Sequence, residues 1–284
     1  MCRAEFRHRT TGVQRMPEVI GVIGTGQMGE PMAARLLRAG HEVVVFARRT
    51  SVRERLRAMG AEVVDSVAEA AVRGQIIVVC VYTDEQVTEV LAGPDGVLAH
   101  AARDALVVSH TTGSPSTLRD LAAAHPDGPV LLDGPVSGSP VDITEGTLTV
   151  LLGGPAPAVA TVTTVLGAYA NTIVPTGELG SALTVKLLNN ALFAANAQLA
   201  TTTVRVGREL GIAEDDLLRA LLVCSGRSHA ASTIHTAGGS AGFERVVVRY
   251  LRKDVAACFT AAADLGIELG PLAAAIDGGP FEMR

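Results

Sequence analysis

Residues 19–49 read VIGVIGTGQMGEPMAARLLRAGHEVVVFARR, and this stretch decides the fold. It opens on a β-branched run, Val19–Ile23, turns through Gly24-Thr25-Gly26, and passes Gln27, Met28 and Gly29 into a helical stretch. A second apolar run, EVVVFA, follows at 42–47. A GxGxxG spacing alone is weak. Between a strand and a helix, with another strand beyond, it is a dinucleotide-binding fingerprint. Gly24 permits the tight turn, Gly26 lets the backbone approach a pyrophosphate, and Gly29 lets the helix pack on the strand. The helix N-terminus then offers free N–H groups and partial positive charge to the phosphates. The competing reading is a glycine-rich turn with no ligand.

Downstream, AEVV (61–64), QIIVVCV (75–81), ALVVS (105–109) and PVLLD (129–133) are further near-continuous apolar runs. Another strand is expected near Thr147–Leu152, and a helix after Gly154-Pro155. Strands buried on both faces look like this in a parallel sheet whose crossovers are helices. The pattern changes after about Gly177. Residues 180–210 hold no Pro and no turn cluster, which predicts one long helix, and further helices are expected at Asp215–Cys224, around His229–Thr236, and from about Arg245 to Leu265. The fold class is therefore α/β: a Rossmann-type doubly wound sheet followed by an all-helical domain on a long interdomain helix. The expected division is a disordered extension at 1–16, a dinucleotide-binding domain at 17–176, and a helical substrate and dimerisation domain at 177–284. The broad apolar surface of the long helix points to burial between layers or against a second copy of the chain.

Composition narrows the function classes. Of 284 residues 48% are hydrophobic but only 3% aromatic, with no Trp, so Ala, Val and Leu must fill the core. The net charge of -5 is mild and the basic residues are scattered, which argues against nucleic acid or an anionic membrane as partner. No apolar run reaches the length of a membrane span. Cys2, Cys80, Cys224 and Cys258 form no CxxC pair and no metal-ligand spacing with His, so free thiols, no metal, and a reducing, cytoplasmic location are expected. The Arg-rich first sixteen residues lack the apolar stretch of a secretion signal. They read as a weak targeting segment or as an extension ahead of a domain that begins at Met16.

The end of the second strand bears on cofactor choice. An NAD-preferring domain places Asp or Glu there. This chain has Phe46-Ala47-Arg48-Arg49-Thr50. Without the carboxylate a 2′-phosphate is not repelled, and two guanidiniums can pair with it. NADP(H) is favoured, with NAD(H) as the alternative; solvated surface arginines are the plainer reading. Two later loops, Val81-Tyr82-Thr83-Asp84 and Ser109-His110-Thr111-Thr112, should reach the same crevice. His110 has no visible partner and reads as a surface residue.

Two segments carry residues suited to chemistry. In DGPVSGSPVDITEGTL (133–148), Ser137 and neighbouring N–H groups can face a small carboxylate, although an ordinary structural turn fits the same residues. In the long helix, Lys186 and Asn190 are four apart and share a face, among Leu183, Val185, Leu187, Leu188, Leu192 and Phe193. Burial would lower the lysine's pKa toward a range useful for proton transfer. A lysine whose amine reaches back to solvent is the alternative.

Together these motifs resemble the β-hydroxyacid dehydrogenase family, which includes 3-hydroxyisobutyrate dehydrogenases and is related to 6-phosphogluconate dehydrogenase. The resemblance spans about Val19 to Leu272 and rests on the glycine fingerprint, DGPVSGSP, the helix motif ending KLLNN, and Leu251-Arg252-Lys253-Asp254; Ser225-Gly226-Arg227-Ser228 looks like the family's SGxS turn. It implies an NADP-dependent oxidoreductase interconverting a small β-hydroxy acid and its semialdehyde or oxo acid. The family's catalytic lysine falls on Lys186, which would exchange a proton with the substrate oxygen while nicotinamide C4 exchanges hydride. Substrate-binding positions fall on Ser137, Gly138 and Asn190. The cofactor set would be Gly24, Gly26, Gln27, Met28, Gly29, Arg48, Arg49, Thr50, Val81, Tyr82, Thr111 and Lys253, the last reaching back to the cleft, with Asp254 as its helical neighbour. A homodimer through the helical domain is implied.

There are departures. Gly134 and Ser139 replace family residues in DAPVSGG, Ala182 stands where a glycine is usual, and Ser109-His110-Thr111-Thr112 lacks the acid of the family's DxST. The chain ends at IDGGPFEMR, where relatives are expected to continue with a further helix. Two other readings stand beside the dehydrogenase. One is an imine reductase, which shares the fold but generally carries Asp or Tyr in place of Lys186. The other is a non-catalytic nucleotide-binding protein on a truncated dehydrogenase scaffold.

Overall fold

The apolar runs form a single nine-stranded sheet in the computed structural model, which describes residues 18–284. The extension expected at 1–16 lies outside the described residues. The first half alternates β1 (Val19–Ile23), α1 (Gly29–Arg38), β2 (Glu42–Phe46), α2 (Thr50–Ala58), β3 (Glu62–Val64) and α3 (Val67–Arg73). It continues with β4 (Ile76–Val79), α4 (Asp84–Ala92), α5 (Val97–His100), β5 (Leu106–Ser109), α6 (Pro115–Ala124) and β6 (Val130–Asp133). Then come β7 (Val136–Ser137), α7 (Pro140–Glu145), β8 (Leu148–Gly153), α8 (Ala156–Leu166) and β9 (Ala170–Gly177).

The strand order is β3-β2-β1-β4-β5-β6-β8-β7, with β9 on β8. β1 lies between β2 and β4, with Ile20 opposite both Val43 and Ile76. The order reverses there, and in open α/β sheets ligands bind in the crevice beyond the carboxyl ends of the strands at such a point. Ile20, Val22, Val43, Val45, Ile76 and Val78 fill the core under one face, and Ile23, Val44, Ile77, Val79 and Val107 fill the other. Burial on both faces explains why these strands lack polar alternation.

Two features differ from the expected parallel sheet. β8 runs antiparallel to β6, meeting it at Asp133 and Gly153. The connection from β6 carries β7, which itself pairs antiparallel with β8, and only the short α7, where a parallel crossover usually has a full helix. β9 was not expected as a strand. Its sequence, ANTIVPTG, carries Pro175 and mostly exposed side chains. A strand that pairs only with β8 tolerates a proline because one edge makes no ladder bonds.

After Gly177 the chain is helical. α9 (Ser181–Glu209) is the expected long helix, about 43 Å at the standard rise. It is followed by α10 (Glu214–Val223), α11 (His229–Thr236) and α12 (Ser240–Phe243). A π-helical turn at Glu244–Val248 leads into α13 (Arg249–Asp264), and α14 (Pro271–Asp277) closes the order. Neither α12 nor α14 was expected. α9 packs against β8 and β9 near its start and against α10, α11, α13 and α14 along its length. Small residues (Ala191, Ala194, Ala195, Ala197) let the neighbouring helices approach closely. Gln198 donates to the carbonyls of Ile276 (2.7 Å) and Phe281 (2.6 Å) and accepts from Phe281 N (2.9 Å), which pins the last described turn to α9. No helix of the described residues is long and apolar enough to cross a membrane.

Asp133 joins the halves. Fully buried at the end of β6, it accepts from Gly180 N (2.7 Å) and Leu183 N (2.8 Å), capping α9. A Cβ on Gly153 would lie 2.3 Å from its Oδ1, so that position must stay bare.

Candidate active site

The glycine turn has the shape its sequence requires. Gly24 has φ +92°, and a Cβ there would sit 2.2 Å from Cys80 O. A Cβ on Gly29 would sit 1.9 Å from Gly24 O, so α1 presses directly on the turn. Gly26 is exposed and a Cβ on it would meet nothing, which leaves the open approach a pyrophosphate needs. Gln27 is exposed and Met28 half-buried at the start of α1, and no side chain caps that helix. Glu30 N already donates to Gly26 O (3.1 Å) and Pro31 has no N–H, so the amides left for an anion are those of the turn and of Gly29.

Arg49 reaches back over this turn, donating from Nη2 to Thr25 O (2.9 Å). The same atom is 3.9 Å from Glu30, a carboxylate the sequence reading did not place near the arginines. Glu30 is already held by Arg55 at 2.7 and 3.0 Å, so its charge is largely answered by Arg55. Arg48 and Thr50 are exposed at the end of β2 and the start of α2, and no acid occupies that strand end.

The later loops converge as expected. Thr111 Oγ1 donates to Val81 O (3.0 Å) and accepts from Val81 N (3.1 Å), stitching the loop after β4 to that after β5. Lys253, from α13, donates to Tyr82 O (2.6 Å) and Thr112 O (2.8 Å), and its ammonium lies 4.8 Å from the centre of the Tyr82 ring. One lysine thus ties the helical half to the loops after β4 and β5. His110 departs from the surface reading: it is 3% exposed and hydrogen-bonded at both ring nitrogens.

Ser137 is exposed and belongs to β7, pairing with Thr149, so this part of 133–148 is sheet rather than turn. Gly138 (φ +135°) follows, and a Cβ there would lie 2.9 Å from Leu148 Cδ1. Ser139 starts α7 in a capping box with Asp142, whose carboxyl accepts from Ser139 N (2.6 Å) and Oγ (2.7 Å). That acid therefore titrates lower than usual, chiefly through the Ser139 hydroxyl.

Lys186 is 9% exposed and Asn190 7%, both on the inner face of α9 with Leu183 and Leu187. Val185, Leu188 and Leu192 turn the other way and are exposed, which corrects the expected apolar surround. Asn190 Nδ2 donates to Asp254 Oδ2 (2.6 Å). Among the described residues Lys186 Nζ has no hydrogen-bond partner. Burial lowers its pKa and the nearby Asp254 charge opposes that; burial raises Asp254, while Lys253, Lys186 and Asn190 oppose it. Asp254 thus sits at the centre of the constellation. Its sequence signal was only its place beside Lys253. No hydrogen bond links Ser137 to Lys186 or Asn190 among the described residues; Asp133 relates the two sides through the backbone.

The profile of the NAD-binding domain of 6-phosphogluconate dehydrogenase matches residues 19–177. An uncharacterised oxidoreductase of Synechocystis is 34% identical over 200 residues, 69% of each chain. The 3-hydroxyisobutyrate dehydrogenase of Pseudomonas aeruginosa is 36% identical over 174 residues, and the match spans 61% of this chain but only 58% of that enzyme. Among solved structures, a Mycobacterium tuberculosis 3-hydroxyisobutyrate dehydrogenase with L-serine superposes with TM-score 0.82 over 92% of each chain at 25% identity. A Myxococcus stipitatus imine reductase variant with NAD+ shares the fold at 23% identity and TM-score 0.64, over 92% of each chain.

Removing the Asp254 charge should let Lys186 lose its proton more readily, since that charge raises the lysine's pKa. In Asp254→Asn, the pH midpoint for acylation of Lys186, followed by peptide mass spectrometry, should move down. An unmoved or higher midpoint would mean the two groups are not coupled.

Proposed function

This chain belongs to the family of the 6-phosphogluconate dehydrogenase NAD-binding domain and is an NAD(P)-dependent oxidoreductase of the β-hydroxyacid dehydrogenase kind, and from that premise we propose that it interconverts a small β-hydroxy acid and its semialdehyde or oxo acid, using NADP(H), with Lys186 as general acid and base. The observation that carries this reading is a buried lysine without a hydrogen-bond partner among the described residues, one helical turn from an asparagine tied to Asp254. A lysine this buried gives up much of its hydration, which disfavours the charged form. A proton-transfer lysine must keep its amine free for the substrate.

Gly24, Gly26, Gln27, Met28 and Gly29 would hold the pyrophosphate; Arg48, Arg49 and Thr50 the adenosine 2′-phosphate; and Val81, Tyr82 and Thr111 the nicotinamide side. The bound nicotinamide supplies or accepts the hydride. Ser137 and the amides around Gly138 take the substrate carboxylate, and Asn190 orients the substrate oxygen toward Lys186 Nζ. In reduction the protonated Nζ gives a proton to the carbonyl oxygen; in oxidation the neutral amine removes the hydroxyl proton. Burial makes the neutral amine accessible and Asp254 keeps the protonated form available, so both directions are served. Lys253 positions the cofactor-side loops without entering the proton path. Residues 17–176 would hold the cofactor and the substrate carboxylate, and residues 177–284 would supply Lys186 and Asn190.

Homodimerisation through the helical half belongs to the same proposal. Val185, Leu188, Leu192, Leu199, Val206 and Leu210, each 42–74% exposed, run along one face of α9 and just past its end. Such a stripe is large for a monomer's surface. Sedimentation should find a dimer that Leu192→Glu weakens; a monomeric wild type would remove the claim.

Lys186→Ala should lower kcat for semialdehyde reduction by about 10²–10⁴, the usual worth of general acid–base catalysis, with NADPH affinity unchanged. Arg49→Ala should weaken NADPH by about tenfold to a hundredfold, the worth of a charge-assisted bond, and NADH little. Equal turnover in Lys186→Ala would contradict the mechanism. Turnover of cyclic imines without semialdehydes would favour an imine reductase, and NADPH binding without any turnover a binding protein.

A further inference from the structure

Behind the proposed site lies a buried polar contact that the proton path does not use. His110 Nδ1 is hydrogen-bonded to Gly134 O, and Nε2 lies 2.7 Å from the hydroxyl of Tyr169, itself fully buried. A carbonyl only accepts, so Nδ1 carries the hydrogen and Nε2 accepts from Tyr169 Oη. The rings meet edge to face, centroids 5.8 Å apart and planes at 81°. Burial lowers the imidazole pKa to about 4, which keeps one neutral tautomer over the ordinary pH range. Burial likewise holds the tyrosine protonated.

Gly134 is shaped to this ring. A Cβ there would meet Val108 Cγ2 at 2.6 Å and His110 Nδ1 and Cε1 at 3.2 and 3.3 Å. The unusual glycine after Asp133 and the histidine after β5 are therefore a matched pair, 24 residues apart. One loop leaves His110 for Thr111 and Thr112, which hold Val81 and Lys253. The other leaves Gly134 for Pro135, Val136 and Ser137.

We propose that His110 is a positioning residue for the reaction: through Gly134 O it sets the substrate loop, and so Ser137, against the cofactor-side loop that carries Thr111. The inference rests on the reading of Ser137 as a carboxylate ligand. It adds that a neutral imidazole, rather than an acid at the end of β5, keeps the two loops in register. A supporting group of this kind acts by locking a side chain or loop that touches substrate.

Three substitutions separate hydrogen bonding from space filling. His110→Phe keeps the ring and loses both bonds; His110→Asn keeps a donor near Nδ1; Tyr169→Phe removes one bond and keeps the stack. In His110→Phe the KM for the hydroxy acid should rise about tenfold with kcat and NADP(H) affinity within about threefold, the signature of lost ground-state positioning. Amide exchange at Val136–Gly138 should accelerate, and His110→Asn should recover most of both effects. Tyr169→Phe should shift both readouts the same way by a smaller factor. A ring that merely fills space gives the reverse order, with Phe like wild type and Asn impaired, and that result overturns the proposal. So does unchanged exchange in His110→Phe. Should His110→Phe not fold, Tyr169→Phe against His110→Asn decides on the same terms. Exchange needs no turnover, so a wild type that reduces no semialdehyde, which would refute the proposed reaction, leaves this test standing.

Discussion

One buried carboxylate relates the two halves of the molecule. Asp133 ends β6, starts the loop that carries Ser137, and caps the helix that carries Lys186. Gly180 N and Leu183 N are groups that an α-helix leaves unpaired at its start, and the helix dipole favours a negative charge there. Burial nevertheless raises the acid's pKa, and four backbone N–H groups work against that rise. The arrangement costs desolvation and gives register. Ser137 is four residues from the acid along one branch, and Lys186 is three residues beyond Leu183 along the other. Neither side can slide without breaking a cap bond.

Around that junction, charge is arranged by burial more than by ion pairing. Lys186 and Asp254 perturb one another, yet no close salt bridge joins them among the described residues, and Asn190 takes the carboxylate instead. A tight pair would hold the lysine protonated and occupied. Lys253, next to Asp254 on α13, is engaged with the carbonyls of Tyr82 and Thr112 and supports the loops. Two lysines in similar company are thus distinguished by whether carbonyls are within reach. The surface Asp and Glu pairs elsewhere in the chain contribute little by comparison.

Much of this was legible in the residues. The glycine fingerprint is legible because the left-handed turn at Gly24 and the contact of Gly29 with Gly24 O are local, and the central strands because burial on both faces leaves apolar runs. α9 was legible because nothing in 180–210 interrupts a helix. β9 is not, since an edge strand with Pro175 and exposed Asn171 and Thr172 has no apolar signature. The antiparallel course of β8 rests on its pairing with β7 and β6, which apolar pattern does not report. His110 was misread for a different reason: its partner Tyr169 lies 59 residues away, and contacts at that range leave no spacing in the chain. The KLLNN and KD motifs named the helix faces, but the meeting of Asn190 with Asp254, 64 residues apart, needed the packed helices.

If Asp133 sets Lys186 against the loop proposed to hold the substrate, kcat/KM for semialdehyde reduction in Asp133→Asn, measured beside NADPH affinity by fluorescence, reports it most directly. Asparagine keeps the size but turns an N–H toward one of the two helix amides. In that variant kcat/KM should fall by about a hundredfold, as for a misplacement near 1 Å, with NADPH affinity retained. A folded Asp133→Asn protein with wild-type kcat/KM would contradict it.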